Sequence, residues 1–151
     1  MSTAAMPDPM ARRLGYALKR VQHALRTRMD DALRPLGLTS AQYAVLSAVE
    51  LEAGISNARL ARAAFVTPQT MQGILTNLER DGLLVRRADP EHGRILRSEL
   101  TSRGQTALAR AHRLVAEVEH VMIASVGTAE AARISGLLSR CADALSATDG
   151  D

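Results

Sequence analysis

The segment Leu60-Ala61-Arg62-Ala63-Ala64-Phe65-Val66-Thr67-Pro68-Gln69-Thr70-Met71-Gln72-Gly73-Ile74-Leu75-Thr76-Asn77-Leu78-Glu79-Arg80-Asp81-Gly82-Leu83-Leu84-Val85-Arg86-Arg87 decides the fold. It reads as helix, short turn, polar-faced helix, glycine stop and then a β-branched, basic strand. Thr67 is an N-cap, and Pro68 falls at N1, where its missing N–H costs nothing. Met71, Ile74, Leu75 and Leu78 recur at i, i+3, i+4 and i+7, so they face inward. Gln69, Thr70, Gln72, Gly73, Thr76 and Asn77 must then point elsewhere, and Gly82 caps the C-terminus. Helix, turn, helix and basic strand in this order predict a winged helix-turn-helix lobe.

Towards the N-terminus, Leu14, Leu18, Val21, Leu25 and Met29 mark a helical stripe that begins at Met10, and Pro35 and Gly37 end it. Thr39-Ser40-Ala41-Gln42 has the form of a capping box. It opens a second helix with Tyr43, Leu46 and Val49 inward, stopped by Gly54. Ser56 caps a short third helix reaching Ala63, and Ala64-Phe65-Val66 makes the turn. Towards the C-terminus, 83–87 and 95–100 are short strand candidates. The turn-rich tip Ala88-Asp89-Pro90-Glu91-His92-Gly93-Arg94 lies between them. Thr101 caps a long fifth helix with Leu108, Ala111, Val115, Val118 and Met122 on one stripe. After Gly127 a sixth carries Ile134, Leu137, Leu138, Cys141 and Leu145. The expected class is mainly α with a small β-wing.

Composition narrows the function. The chain has 151 residues, 46% apolar and 23% charged, with a net charge of +3. Aromatic residues make up only 2%. That argues against nucleic-acid platforms that stack bases on aromatic rings. From Arg59 to Arg110 nine arginines face five acids, so the positive excess sits in the winged segment. Cys141 is the only cysteine, which excludes an intramolecular disulfide and reads as a small buried hydrophobe. There is no glycine-rich phosphate loop, nucleophile elbow or metal-ligand cluster, so the chain does not read as an enzyme. His112, Glu117, Glu119 and His120 do not converge on one helix face, and neither metal nor cofactor is expected. No signal-peptide core or membrane-length apolar run is present, and the expected location is the cytoplasm.

The polar front of the fourth helix suits a major groove. Gln69 and Gln72 match adenine edges, Thr70 a thymine methyl or a phosphate, and Gly73 lets the backbone come close. Ser56 and Thr67, at helix N-termini, suit phosphates, while Thr76 and Asn77 extend the face. At the wing tip Arg94 suits a narrow minor groove, and Arg86, Arg87 and Arg97 nearer the strands suit phosphates.

Taken together, these segments resemble the multiple-antibiotic-resistance regulator (MarR) family. Leu38-Thr39-Ser40-Ala41-Gln42-Tyr43-Ala44-Val45-Leu46 is similar to that family's second-helix opening. Val66-Thr67-Pro68-Gln69-Thr70-Met71 resembles the start of its recognition helix. Leu78-Glu79-Arg80-Asp81-Gly82-Leu83-Leu84-Val85-Arg86-Arg87 resembles its passage into the wing, and Leu100-Thr101-Ser102-Arg103-Gly104 its fifth-helix start. Two positions depart from the pattern. The family's Asp-x-Arg wing triad reads His92-Gly93-Arg94, leaving Asp89 and Glu91 as replacements for the missing acid. Gly73 stands where a basic residue is frequent.

The resemblance implies a homodimer binding palindromic double-stranded DNA, with 1–9 a disordered tail, 10–36 and 102–147 the dimerisation helices and 38–101 the winged lobe. It also implies a repressor released by a small aromatic or phenolic effector. His23, Arg26 and Tyr43 are the candidates to line that pocket. The competing reading is a winged-helix protein–protein adaptor, which requires an apolar recognition face.

Overall fold

The computed structural model describes residues 12–147. The expected tail and the start of the first helix at Met10 lie outside the described residues. The chain divides at Val115/Ala116 into two compact units, and one long helix runs through that point.

The first unit begins with α1 (Leu14–Leu33), closed by a 3-10 turn over Arg34–Leu36. Gly37 adopts φ 67, and the Leu38 N–H donates back to the Leu33 carbonyl, so the chain reverses sharply where proline and glycine demand it. The capping box of α2 (Ser40–Leu51) is complete: Thr39 accepts from the Gln42 N–H, and Gln42 accepts from the Thr39 N–H. Asp30 accepts from the Ser40 N–H at 2.7 Å, tying the end of α1 to the start of α2. That bond holds the Asp30 carboxyl below its ordinary range. The helix ends at Leu51, three residues before Gly54, whose φ of 81 serves the following turn.

Ile55–Ser56 forms β1, a strand absent from the sequence reading. It is followed by α3 (Asn57–Ala63), α4 (Pro68–Arg80), β2 (Leu84–Ala88) and β3 (Leu96–Leu100). The sheet order is β1-β3-β2, all antiparallel, with Ile55 opposite Ser98 and Arg86 opposite Ser98 on the other side. Arg87 faces Arg97 directly. Each finds its own acid, Glu99 at 3.5 Å and Asp89 respectively, which offsets the like-charge opposition.

The core of this unit is aliphatic. Leu46, Leu60, Met71, Leu75, Leu78 and Leu84 are essentially inaccessible, and Leu108 and Ala111 from the start of α5 (Ser102–Val126) complete it. Tyr43, expected inward, is only half-buried, whereas Val45 is fully buried. Gly104 faces the end of α4. A methyl group there would lie 1.9 Å from the Leu83 carbonyl oxygen, so only glycine fits. Thr101 locks the same junction, its hydroxyl donating to the Gly82 carbonyl at 2.6 Å while accepting from the Gly104 N–H.

The second unit comprises the remainder of α5 and α6 (Thr128–Ser146), joined at Gly127 with φ 90. No residue of α6 is buried in the single chain; Cys141, expected to be buried, is half-buried. Ile134, Leu137, Leu138 and Leu145 on α6, and Val121, Met122 and Val126 on α5, remain exposed. In the first unit Leu14, Leu18 and Val21 on α1 are exposed likewise. No single helix among the described residues is long and apolar enough to cross a membrane.

Candidate nucleic-acid interface

Helix α4 owes its position to its two ends. Thr67 accepts from the Thr70 N–H at 3.1 Å, and its hydroxyl donates a hydrogen bond to the Thr70 hydroxyl at 3.0 Å. At the other end Gly82 takes φ 72. The Leu83 N–H reaches the Leu78 carbonyl and the Gly82 N–H the Glu79 carbonyl, a paired closure that stops the helix and starts β2. Met71, Leu75 and Leu78 fill the core and Ile74 is half-buried, so the outer face falls to Gln69, Thr70, Gln72, Gly73, Thr76 and Asn77, all exposed.

The Thr76 hydroxyl donates to the Gln72 carbonyl at 2.8 Å. The Gln72 side-chain oxygen accepts from Asn57 Nδ2 at 3.1 Å and from Arg86 Nη1 at 2.9 Å. Gly73 has open space around it, with no atom within 4 Å of where a Cβ would stand. Ser56 caps α3 by accepting from the Arg59 N–H at 3.4 Å. The turn between α3 and α4 carries Phe65 at φ 55 and 95% exposed. This left-handed aromatic was not singled out in the sequence, since only its place in a turn was legible.

The wing arginines separate into distinct roles. Arg94 lies at the exposed tip and has no ion pair or hydrogen bond among the described residues. Arg97, expected to face phosphate, pairs with Asp89 and donates to the Gly54 carbonyl at 2.8 Å. Arg86, given the same expectation, is sequestered: its side chain is 9% exposed and forks onto Glu79 at 3.2 and 3.5 Å. Asp89 is buried. Besides Arg97 it accepts from the Glu91 N–H at 2.8 Å and the His92 N–H at 3.1 Å. The Arg97 hydrogen bond, then these two amides, lower its pKa to about 2. The acid missing from the wing triad is therefore not replaced as a brace for Arg94; Asp89 instead pins Arg97 and shapes the tip. The partner lies eight residues away across the hairpin, outside any local motif.

No side-chain hydrogen bond or ion pair links the effector candidates His23, Arg26 and Tyr43 among the described residues. His23 and Arg26 sit exposed on α1. Tyr43 is half-buried, and its hydroxyl bonds His112 Nδ1 at 2.9 Å while His112 Nε2 meets Glu50 at 2.8 Å. Among the described residues no group of three histidines, cysteines or acids could hold a metal ion.

The comparisons agree with this architecture. A family model described as MarR family matches residues 36–95. Over 102 residues the chain is 43% identical to the HTH-type transcriptional repressor Rv2887 of Mycobacterium tuberculosis, spanning 68% of this chain and 73% of that protein. The solved structure of that MarR family protein in complex with salicylic acid superposes with a TM-score of 0.69 at 34% identity, covering 93% of this chain and 99% of the other. The transcriptional repressor CouR, bound to a 23-mer DNA duplex, gives a TM-score of 0.86 at 28% identity over 93% and 99% of the two chains. The chain belongs to the MarR family of winged-helix transcriptional regulators.

Proposed function

We propose that this regulator is a homodimeric, sequence-specific repressor that binds a palindromic operator. In this reading α4 enters the major groove through Gln69, Thr70, Gln72, Gly73, Thr76 and Asn77, while Ser56 and Thr67 present helix N-termini to phosphates. Arg94, at the tip of the wing, enters the adjacent minor groove. The observation that carries the proposal is the division of α4 itself: Met71, Leu75 and Leu78 are buried and Ile74 is half-buried, while the exposed positions from Gln69 to Asn77 are polar or glycine and uncharged. The adaptor alternative lacks the apolar face it requires.

Dimerisation is supported by the apolar side chains left exposed along α1, the end of α5 and α6, which a single chain does not cover. Two lobes related by a two-fold axis place half-sites about 10 bp apart. A solved relative bound to salicylic acid supports an aromatic acid as effector. Tyr43 with His112, and His23 and Arg26 on α1, are the polar groups for it. Release then requires that the effector favour a lobe spacing that does not fit DNA. The proposed location is the cytoplasm, where such an operator lies.

The test is fluorescence anisotropy on DNA from upstream of the coding region, with and without salicylate. Arg94→Ala is expected to weaken binding across all sequences and to flatten the salt slope by ~1. An unchanged affinity and slope in this variant refutes the wing assignment, and no response to any aromatic acid refutes the effector.

A further inference from the structure

We infer that Gln72 presents only hydrogen-bond donors to DNA, and that Arg86 is the positioning residue that makes it do so. The inference rests on reading α4 as the groove helix. It replaces two expectations from the sequence, a phosphate contact for Arg86 and an adenine contact for Gln72.

A free glutamine offers one carbonyl oxygen with two lone pairs and one amide with two hydrogens. Adenine recognition uses both ends, the oxygen accepting from N6 and the amide donating to N7. Here the oxygen is already saturated, by Arg86 Nη1 at 2.9 Å and Asn57 Nδ2 at 3.1 Å. The orientation of the amide is not ambiguous, because a guanidinium can only donate and must face the oxygen. Asn57 Nδ2 donates to the same oxygen, and its own Oδ1 is buried without a partner.

Arg86 is held in turn. It is anchored in β2 opposite Ser98 at the middle of the sheet, and Glu79 takes its Nε and Nη2. With its charge matched by Glu79 and little of its side chain exposed, Arg86 is spent inside the lobe. What Gln72 shows outward is the Nε2 amide, with no hydrogen-bond partner among the described residues. Two donors suit N7 and O6 of guanine or O4 of thymine. Adenine places its N6 amino group against that amide, and cytosine offers N4 hydrogens, so both are disfavoured.

The experiment uses the full-length protein and 25-bp duplexes recovered from a random library. Gln72→Ala locates the base pair that Gln72 reads, as the position where preference disappears. Wild type is expected to prefer guanine or thymine there. Arg86→Met removes the donor and frees a lone pair. It should raise the relative affinity for adenine at that position about three- to tenfold while the salt slope stays constant. Asn57→Ala should act in the same direction, and it carries the test if Arg86→Met does not fold by circular dichroism. The inference is overturned if wild type prefers adenine at that position. It is equally overturned if Arg86→Met, or Asn57→Ala where that variant carries the test, leaves base preference intact. For Arg86→Met, a salt slope flattened by about one identifies a phosphate contact instead. If folded wild type enriches no sequence at all, the groove reading fails as a whole, and the inference falls with it.

Discussion

Replacing Gly73 by alanine should move stability and DNA binding in opposite directions. Gly73 lies inside α4 at a helical backbone angle, and an added methyl group meets no atom within 4 Å. Nothing in the fold asks for glycine there. A glycine inside a helix costs about 0.5–1 kcal/mol relative to alanine, because the unfolded chain is freer and no side chain shields the backbone. Gly73→Ala is therefore expected to stabilise the lobe by about that amount and to raise Tm by roughly 1–4 °C for a chain of this size. The same methyl group stands between Gln69, Gln72, Thr76 and Asn77 on the face assigned to the groove. A close backbone approach cannot absorb it, and binding should weaken about fivefold or more, on the scale of overpacking a tight contact. Thermal denaturation followed by circular dichroism gives the first quantity and anisotropy titration the second. A lower Tm would refute the placement of Gly73 on an open helix surface. A higher Tm with unchanged affinity would refute the close approach of α4 to DNA at this residue.

Three further outcomes concern the wing, the start of α5 and α6. The pKa of Asp89 in the folded protein is about 2, below the ordinary 3.8, so its contribution to the wing is complete above pH 4 and lost as pH falls towards 2. Protection of the Glu91 and His92 amides, taken relative to their intrinsic exchange rates at each pH, should fall over that window, and Asp89→Asn should abolish the dependence. Gly104→Ala forces a methyl group onto the Leu83 carbonyl at 1.9 Å, where the obstacle is backbone; a loss of about 2 kcal/mol or more should appear as a lower denaturant midpoint. Leu137→Asp places a charge on the exposed stripe of α6, and sedimentation should show a monomer with unchanged helix content. A variant that remains dimeric removes α6 from the interface.

Much of the lobe was legible because its signals are local. The Thr39–Gln42 capping box, the Thr67-Pro68 start of α4, the inward spacing of Met71, Leu75 and Leu78, and the Gly82 stop all act within one or two turns of helix, and the structure repeats them. What escaped depends on residues far apart in the chain. Strand β1 is two residues long, too short for any periodicity, and exists because β3 pairs with it. Gly104 stood out as part of a helix start, but its obligation comes from Leu83 crossing against it. At the candidate site, Arg86 and Arg97 looked like surface cations because charge alone says nothing of pairing. Glu79 and Asp89 claim them across the turn into β2 and across the wing hairpin. The bond between Tyr43 and His112 spans 69 residues and had no local trace. Arg94, Gln69 and Asn77 stand exposed as expected, because no distant residue engages them among those described, whereas Gln72 on the same face is held by Arg86 and Asn57.

In the proposed dimer, paired lobes read a symmetric duplex. Selection from a library of random double-stranded DNA with the purified wild-type protein, followed by sequencing, tests it without assuming any operator. The expected result is enrichment of a two-fold symmetric sequence whose half-site centres lie about 10 bp apart. Folded protein that leaves the library unenriched in dilute salt, or that enriches a single asymmetric element, would contradict it.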